Sequence, residues 1–145
     1  MSAYNKLSLN EDFLVTYGDG LANVDIKKLI NFHYEKKALI TITAVRPKER
    51  YGILNIKNKS NRVLHLDEKK KKSKFQINGG YFVFSRESLK KIKNSNVYFE
   101  KEPLQSIIKL KKLYAFEHQG FWKSLDTLKD KNDFSLVSVS NFLYA

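Results

Sequence analysis

The 145-residue sequence predicts an α/β fold, and three observations carry that reading. Two apolar stretches, Phe13 to Tyr17 and Ala38 to Val45, flank an amphipathic segment, so that strand, helix and strand fit within about 30 residues. Both stretches are apolar without strict alternation, as in strands of a parallel sheet covered by helices. Apolar residues make up 42% of the chain and aromatics 13%, enough to build one core at this length.

Each element follows from local pattern. Phe13-Leu14-Val15-Thr16-Tyr17 is rich in β-branched and aromatic residues and stops at Gly18-Asp19-Gly20, which reads as a buried strand entering a turn. Asn23 or Asp25 then caps a helix whose Ile26, Leu29, Ile30 and His33 recur at three and four residues, while Lys27, Lys28, Glu35 and Lys36 face water. Ala38 to Val45 is the second strand. Tyr51 to Ile56 and Arg62 to Leu66 flank the turn-forming Asn58-Lys59-Ser60-Asn61 and predict a hairpin. Strand character returns from Phe75 to Phe84 around Asn78-Gly79-Gly80. Short helices follow at Arg86 to Lys93 and Glu102 to Lys112, the second with Leu104, Ile107 and Ile108 inward, and Leu113 to His118 is the final strand. No internal repeat and no linker divides the chain.

Cysteine is absent, which excludes disulfides, thiolate metal sites and cysteine nucleophiles among these residues. The start Met1-Ser2-Ala3-Tyr4 has no apolar signal segment and no apolar run reaches the roughly 20 residues of a bilayer span, so a cytoplasmic protein without a membrane partner is expected. The net charge of +12 attracts polyanions in general and does not choose among phosphorylated small molecules, acidic lipid and nucleic acid. An aromatic-and-basic strand pattern of the base-stacking kind is missing, which argues against nucleic acid.

The residues that could carry chemistry are few. Asp19 lies where the first strand ends, the position at which open α/β sheets collect ligands, and its two glycine neighbours let phosphate approach the backbone. A plain Asp-Gly turn is the competing account. Asp126, in Phe121-Trp122-Lys123-Ser124-Leu125-Asp126-Thr127, is a second carboxylate of the kind magnesium uses, or else a helix N-cap. Asn78-Gly79-Gly80 interrupts a strand with paired glycines, which fits close backbone approach by a ligand or a β-bulge. Lys69 to Lys72 is a cationic run that reads by default as a solvated loop, and Trp122 as a core residue. His33, His65 and His118 share no metal-ligand spacing.

In their order along the chain, these stretches resemble the glucose-1-phosphate cytidylyltransferases, a branch of the sugar-1-phosphate nucleotidyltransferases. The segments that carry the resemblance are Leu14 to Gly20, Val24-Asp25-Ile26, Thr43 to Pro47, Ile77-Asn78-Gly79-Gly80, Glu102-Pro103-Leu104 and Gly120 to Lys131. The resemblance implies an incomplete Rossmann-like, GT-A-like, three-layer α/β/α sheet with an additional β-hairpin. It places a partial nucleotidyltransferase domain at 1–132 and a divergent tail at 133–145. It implies Mg2+ held by Asp19 and Asp126, a sugar-phosphate pocket along Tyr17, Gly18, Glu68, Lys69, Asn78, Gly79 and Trp122, and Lys69 as the catalytic cation.

The implied substrates are glucose 1-phosphate and CTP, which yield CDP-glucose and pyrophosphate. The family's Gly-rich nucleotide loop precedes the matched segments and has no counterpart here, so a homo-oligomer or a complementing N-terminal half is the expected partner. The usual Glu-Lys-Pro of the sugar-phosphate loop reads Glu68-Lys69-Lys70, without the stiffening proline.

Overall fold

The computed structural model describes residues 11–47, 53–57, 62–67, 75–92 and 98–135. Their elements run β1 (Phe13–Thr16), β2 (Gly20–Ala22), α1 (Ile26–Glu35), β3 (Ile40–Val45), β4 (Ile53–Lys57), β5 (Arg62–Asp67), β6 (Ile77–Phe84), α2 (Arg86–Lys91), α3 (Glu102–Lys109), β7 (Leu113–His118), β8 (Trp122–Ser124) and α4 (Leu128–Ser135). A four-stranded sheet has the order β1-β6-β3-β7, and two-stranded ladders join β2 to β8 and β4 to β5.

The α/β/α layering follows from the two faces of β3. Ile40, Thr41 and Val45 are essentially inaccessible to solvent. On one side α1 contributes Leu29 and His33, whose Nδ1 meets the Thr41 hydroxyl at 2.8 Å. On the other, Leu104 and Ile107 of α3 close over Ile40, Phe82 and Phe84. Complete burial of an aliphatic side chain such as Leu29 or Ile107 stabilises the fold by roughly 1.5–3 kcal/mol. Asp25 caps α1 by accepting from the Lys28 N–H at 2.9 Å, and Ser85 caps α2 by accepting from Ser88 at 3.2 Å.

The sheet is mixed, where the sequence predicts a parallel one. Only β3 and β7 pair in parallel; β1 and β3 run in the same direction but both bond antiparallel to β6, which lies between them. A strand-helix-strand pattern fixes the direction of two strands and not their adjacency. Among the described residues β1 is also an edge strand, with alternating burial and a 48%-exposed Leu14, so it is half-buried and not fully buried. Ile26 and Ile108 face solvent more than their spacing suggests, and α2 and α3 end at Lys91 and Lys109, two and three residues short of expectation. The expected hairpin is present as β4–β5, while its turn, residues 58–61, lies outside the described residues. Among the described residues no helix is long and apolar enough to cross a membrane.

β6 departs from regular pairing at its glycines. Ile42 pairs with Phe82 and Ala44 with Asn78, so Gly79, Gly80 and Tyr81 stand opposite Thr43 alone. The bulge is the outcome for Asn78-Gly79-Gly80. Gly80 has φ +81°, and a Cβ there would lie 3.3 Å from the Tyr17 ring; a Cβ on Gly79 would lie 2.8 Å from Val45 Cγ1.

Two outcomes are expected. Gly80→Ala destabilises the chain by about 1–3 kcal/mol, read as a lowered urea midpoint. Burial holds His33 below its ordinary value of 6.5, so the stability it contributes is present above that pH and is lost as pH falls through the depressed folded value. His33→Gln, which keeps a polar partner for Thr41 and cannot titrate, flattens urea midpoints measured across that window.

Candidate functional site

The carboxyl ends of β1 and β3 and the amino end of β6 share one edge of the sheet, where Tyr17, Asn78 and Gly79 sit. Leaving β1, the chain turns at Gly18-Asp19 into β2, whose partner β8 follows Leu113 to His118, the last strand predicted from the sequence. In this antiparallel ladder Gly20 faces Ser124 and Ala22 faces Trp122. Its open end is closed by the Leu125 N–H, which donates to the Asp19 carbonyl at 2.8 Å. Residues 19 and 125 are therefore bonded neighbours, and Asp19 and Asp126, remote in sequence and both exposed, flank the same end of one ladder.

Two details bear on the competing accounts of these carboxylates. Thr127 and Asp130 form a reciprocal cap on α4: the Thr127 N–H and hydroxyl donate to Asp130 Oδ2 at 3.1 and 2.8 Å, and the Asp130 N–H donates back to Thr127 Oγ1 at 3.1 Å. The N-cap is thus Thr127, and Asp126 stands one residue before it. A Cβ on Gly18 would meet no heavy atom within 4 Å, so the approach to the Asp19 turn is open.

The neighbouring wall is tied to the ladder by side chains. Trp122 is half-buried and donates its indole N–H to the Gly79 carbonyl at 2.8 Å, which ties β8 to the bulge. The Tyr81 hydroxyl donates to Gly20 O at 3.0 Å and accepts from Ala22 N–H at 3.2 Å, which fastens β2 to the bulge. Tyr17 N–H donates to Gly80 O at 2.8 Å, and the Tyr17 hydroxyl donates to Glu100 Oε1. Burial first, and then the Glu100 carboxylate, pushes the Tyr17 phenol up to about 12, while the same hydrogen bond holds the Glu100 carboxyl below its usual value.

Of the sequence-derived candidates, Tyr17, Gly18, Asp19, Asn78, Gly79, Trp122 and Asp126 gather around the β1–β2 turn and the bulge. Glu68 and Lys69 lie outside the described residues, which resume at Phe75. Tyr81 and Glu100 were not legible beforehand. Tyr81 alternates like any strand aromatic, and Glu100 is one acidic residue in a charged stretch; only tertiary contacts distinguish them.

The nucleotidyl transferase family model matches residues 2–135. The chain belongs to the nucleotidyl transferase family. It is 43% identical over 122 residues to the glucose-1-phosphate cytidylyltransferase of Salmonella typhimurium, covering 84% of this chain and 47% of that protein. It is 31% identical over 141 residues to the glucose-1-phosphate adenylyltransferase of Mycoplasma mobile, covering 88% and 37%. In fold it is similar to a Bacillus anthracis protein provisionally assigned as a glucose-1-phosphate thymidylyltransferase and crystallised with sucrose, with TM-score 0.60 and 17% identity over 86% of this chain and 53% of that one. The chain spans about half the length of the curated nucleotidyltransferase relatives it matches.

Thr127→Ala, by removing the cap, should destabilise the chain by about 1 kcal/mol. Asp126→Asn should leave thermal stability within about 0.5 kcal/mol. Paired thermal melts of the two variants distinguish a capping residue from a carboxylate exposed at the site.

Proposed function

We propose that this chain is the sugar-phosphate and metal-binding portion of a glucose-1-phosphate cytidylyltransferase, the enzyme that joins glucose 1-phosphate to CTP with release of pyrophosphate. The observation that carries the reading is the β2–β8 ladder, which sets the Asp19 and Asp126 segments side by side next to the Asn78-Gly79 wall. The similarity to the Salmonella enzyme supports cytidylyl transfer over transfer of another nucleotide.

Asp19 and Asp126 would hold Mg2+. The fit rests on their chemistry and placement: two exposed, hard-oxygen carboxylates at one end of the β2–β8 ladder, of the kind magnesium uses together with water and phosphate oxygens. When bound, the cation neutralises phosphate charge. The remaining work falls to the chain itself. Such transfers need two repelling anions held in line and require no covalent protein intermediate. Tyr17, Gly18, Asn78, Gly79 and Trp122 would line the sugar, with Glu68 accepting from its hydroxyls and Lys69 offsetting phosphate charge as the catalytic cation.

In this reading the partner is a second polypeptide, a further copy or a complementing half of the family fold. Two features support it: β1 is an edge strand, and an apolar pocket of about 170 Å3 lined by Leu14, Val15, Ile26, Leu29 and Phe82 lies beside it. An exposed edge with apolar side chains is a template for another strand. The partial domain of residues 1–132 and the tail of residues 133–145 belong to this reading; α4 and the family match run on to residue 135.

Calorimetric titration of the folded chain with glucose 1-phosphate and MgCl2, alone and with a co-expressed complementing half, tests the proposal. Magnesium-dependent binding, weakened about tenfold or more in Asp19→Asn and Asp126→Asn, is the expected result. No binding in either format overturns it. Steeply salt-dependent binding to nucleic acid would instead favour a non-catalytic basic module derived from the same fold.

A further inference from the structure

We propose that Glu100 is a positioning residue that fixes the direction of the hydrogen bonds between Tyr17 and Asn78, so that Asn78 offers an amide N–H to a ligand oxygen. The inference deepens the sugar-phosphate reading of this site and rests on it for the ligand.

The argument is one of donors and acceptors along a chain with two fixed ends. At one end the Gly80 N–H can only donate, and it donates to Asn78 Oδ1 at 2.9 Å. At the other the ionised Glu100 carboxylate can only accept, and it accepts from the Tyr17 hydroxyl. A hydroxyl has a single proton, so the Tyr17 oxygen presents a lone pair toward Asn78, whose Nδ2 approaches it at 3.5 Å. This long contact is the weakest link in the chain. Without Glu100, the hydroxyl loses the acceptor that fixes its proton, and its lone pair is no longer held toward Asn78 Nδ2.

With both ends fixed, the orientation of the Asn78 amide is set, and the N–H that does not face Tyr17 remains a donor. A sugar hydroxyl oxygen or a phosphate oxygen complements it; a donor group does not. Glu100 is exposed, yet its backbone is anchored. Phe99 packs against Phe82 and Phe84 with ring centroids 5.8 and 5.5 Å apart, and its carbonyl accepts from Leu104 N–H at 3.1 Å. The carboxylate is thus delivered from the start of α3 to the end of β1 by core packing.

The test uses the full chain carrying Glu100→Ala, Glu100→Gln, Tyr17→Phe or the Ala/Phe pair, with the Asn78 side-chain amide and Gly80 backbone amide followed by 15N NMR. Glu100→Ala and Tyr17→Phe should each shift both resonances and weaken glucose 1-phosphate binding in MgCl2 about tenfold, with the double variant no worse than either single one. Glu100→Gln, whose amide oxygen still accepts the hydroxyl proton, should stay within about twofold of the unmodified chain. Unchanged Asn78 and Gly80 resonances in Glu100→Ala, or additive losses in the double variant, overturn the assignment. Should Glu100→Ala not fold, Tyr17→Phe and Glu100→Gln supply the same contrast. Absence of glucose 1-phosphate binding by the unmodified chain counts against the proposed function, while the amide resonances still decide the role of Glu100.

Discussion

The irregular pairing of β6 with β3 is the constraint on which the rest of the site depends. Two extra residues must fit on β6 between Phe82 and Asn78, and they fit because Gly79 has no Cβ to strike Val45 and Gly80 tolerates φ +81° beneath the Tyr17 ring. At the bulge the Gly79 carbonyl accepts from the Trp122 indole, while the Gly80 carbonyl accepts from the Tyr17 N–H in register with the β1–β6 pairing.

From that bulge the site is assembled by hydrogen bonds between elements, and burial supplies the frame. Tyr81 reaches from the bulge to both ends of β2, Trp122 reaches back from β8, and Leu125 closes the turn at Asp19. The carboxylates themselves take part in little of the apolar packing. In the proposed role, exposed carboxylate oxygens would exchange water for a cation, and their positions are set through backbone and neighbouring side chains.

Much of the frame was legible in the sequence. His33 at helical spacing from Leu29 and the unbroken apolar run of β3 correctly announce the buried layer, because amphipathic periodicity is a local record of which face is covered. The turn-forming composition of Asn58 to Asn61 announces the β4–β5 hairpin, because such residues favour local chain reversal. β8 escaped notice because three residues leave too little alternation to register, and Ile108 misled because spacing cannot tell a helix edge from its centre.

The sequence by itself determined the family, through the ordered Tyr-Gly-Asp-Gly, Ile-Asn-Gly-Gly and Trp-x-x-x-Asp-Thr-Leu segments, and it determined the α/β class through strand and helix periodicity. Only the tertiary structure decided that β6 lies between β1 and β3, that Thr127 and not Asp126 caps α4, and that Glu100 meets Tyr17. Those facts are pairings between residues far apart along the chain. Local propensity constrains each partner separately, and which two meet is fixed only when the sheet closes and the shared core brings them within hydrogen-bonding distance.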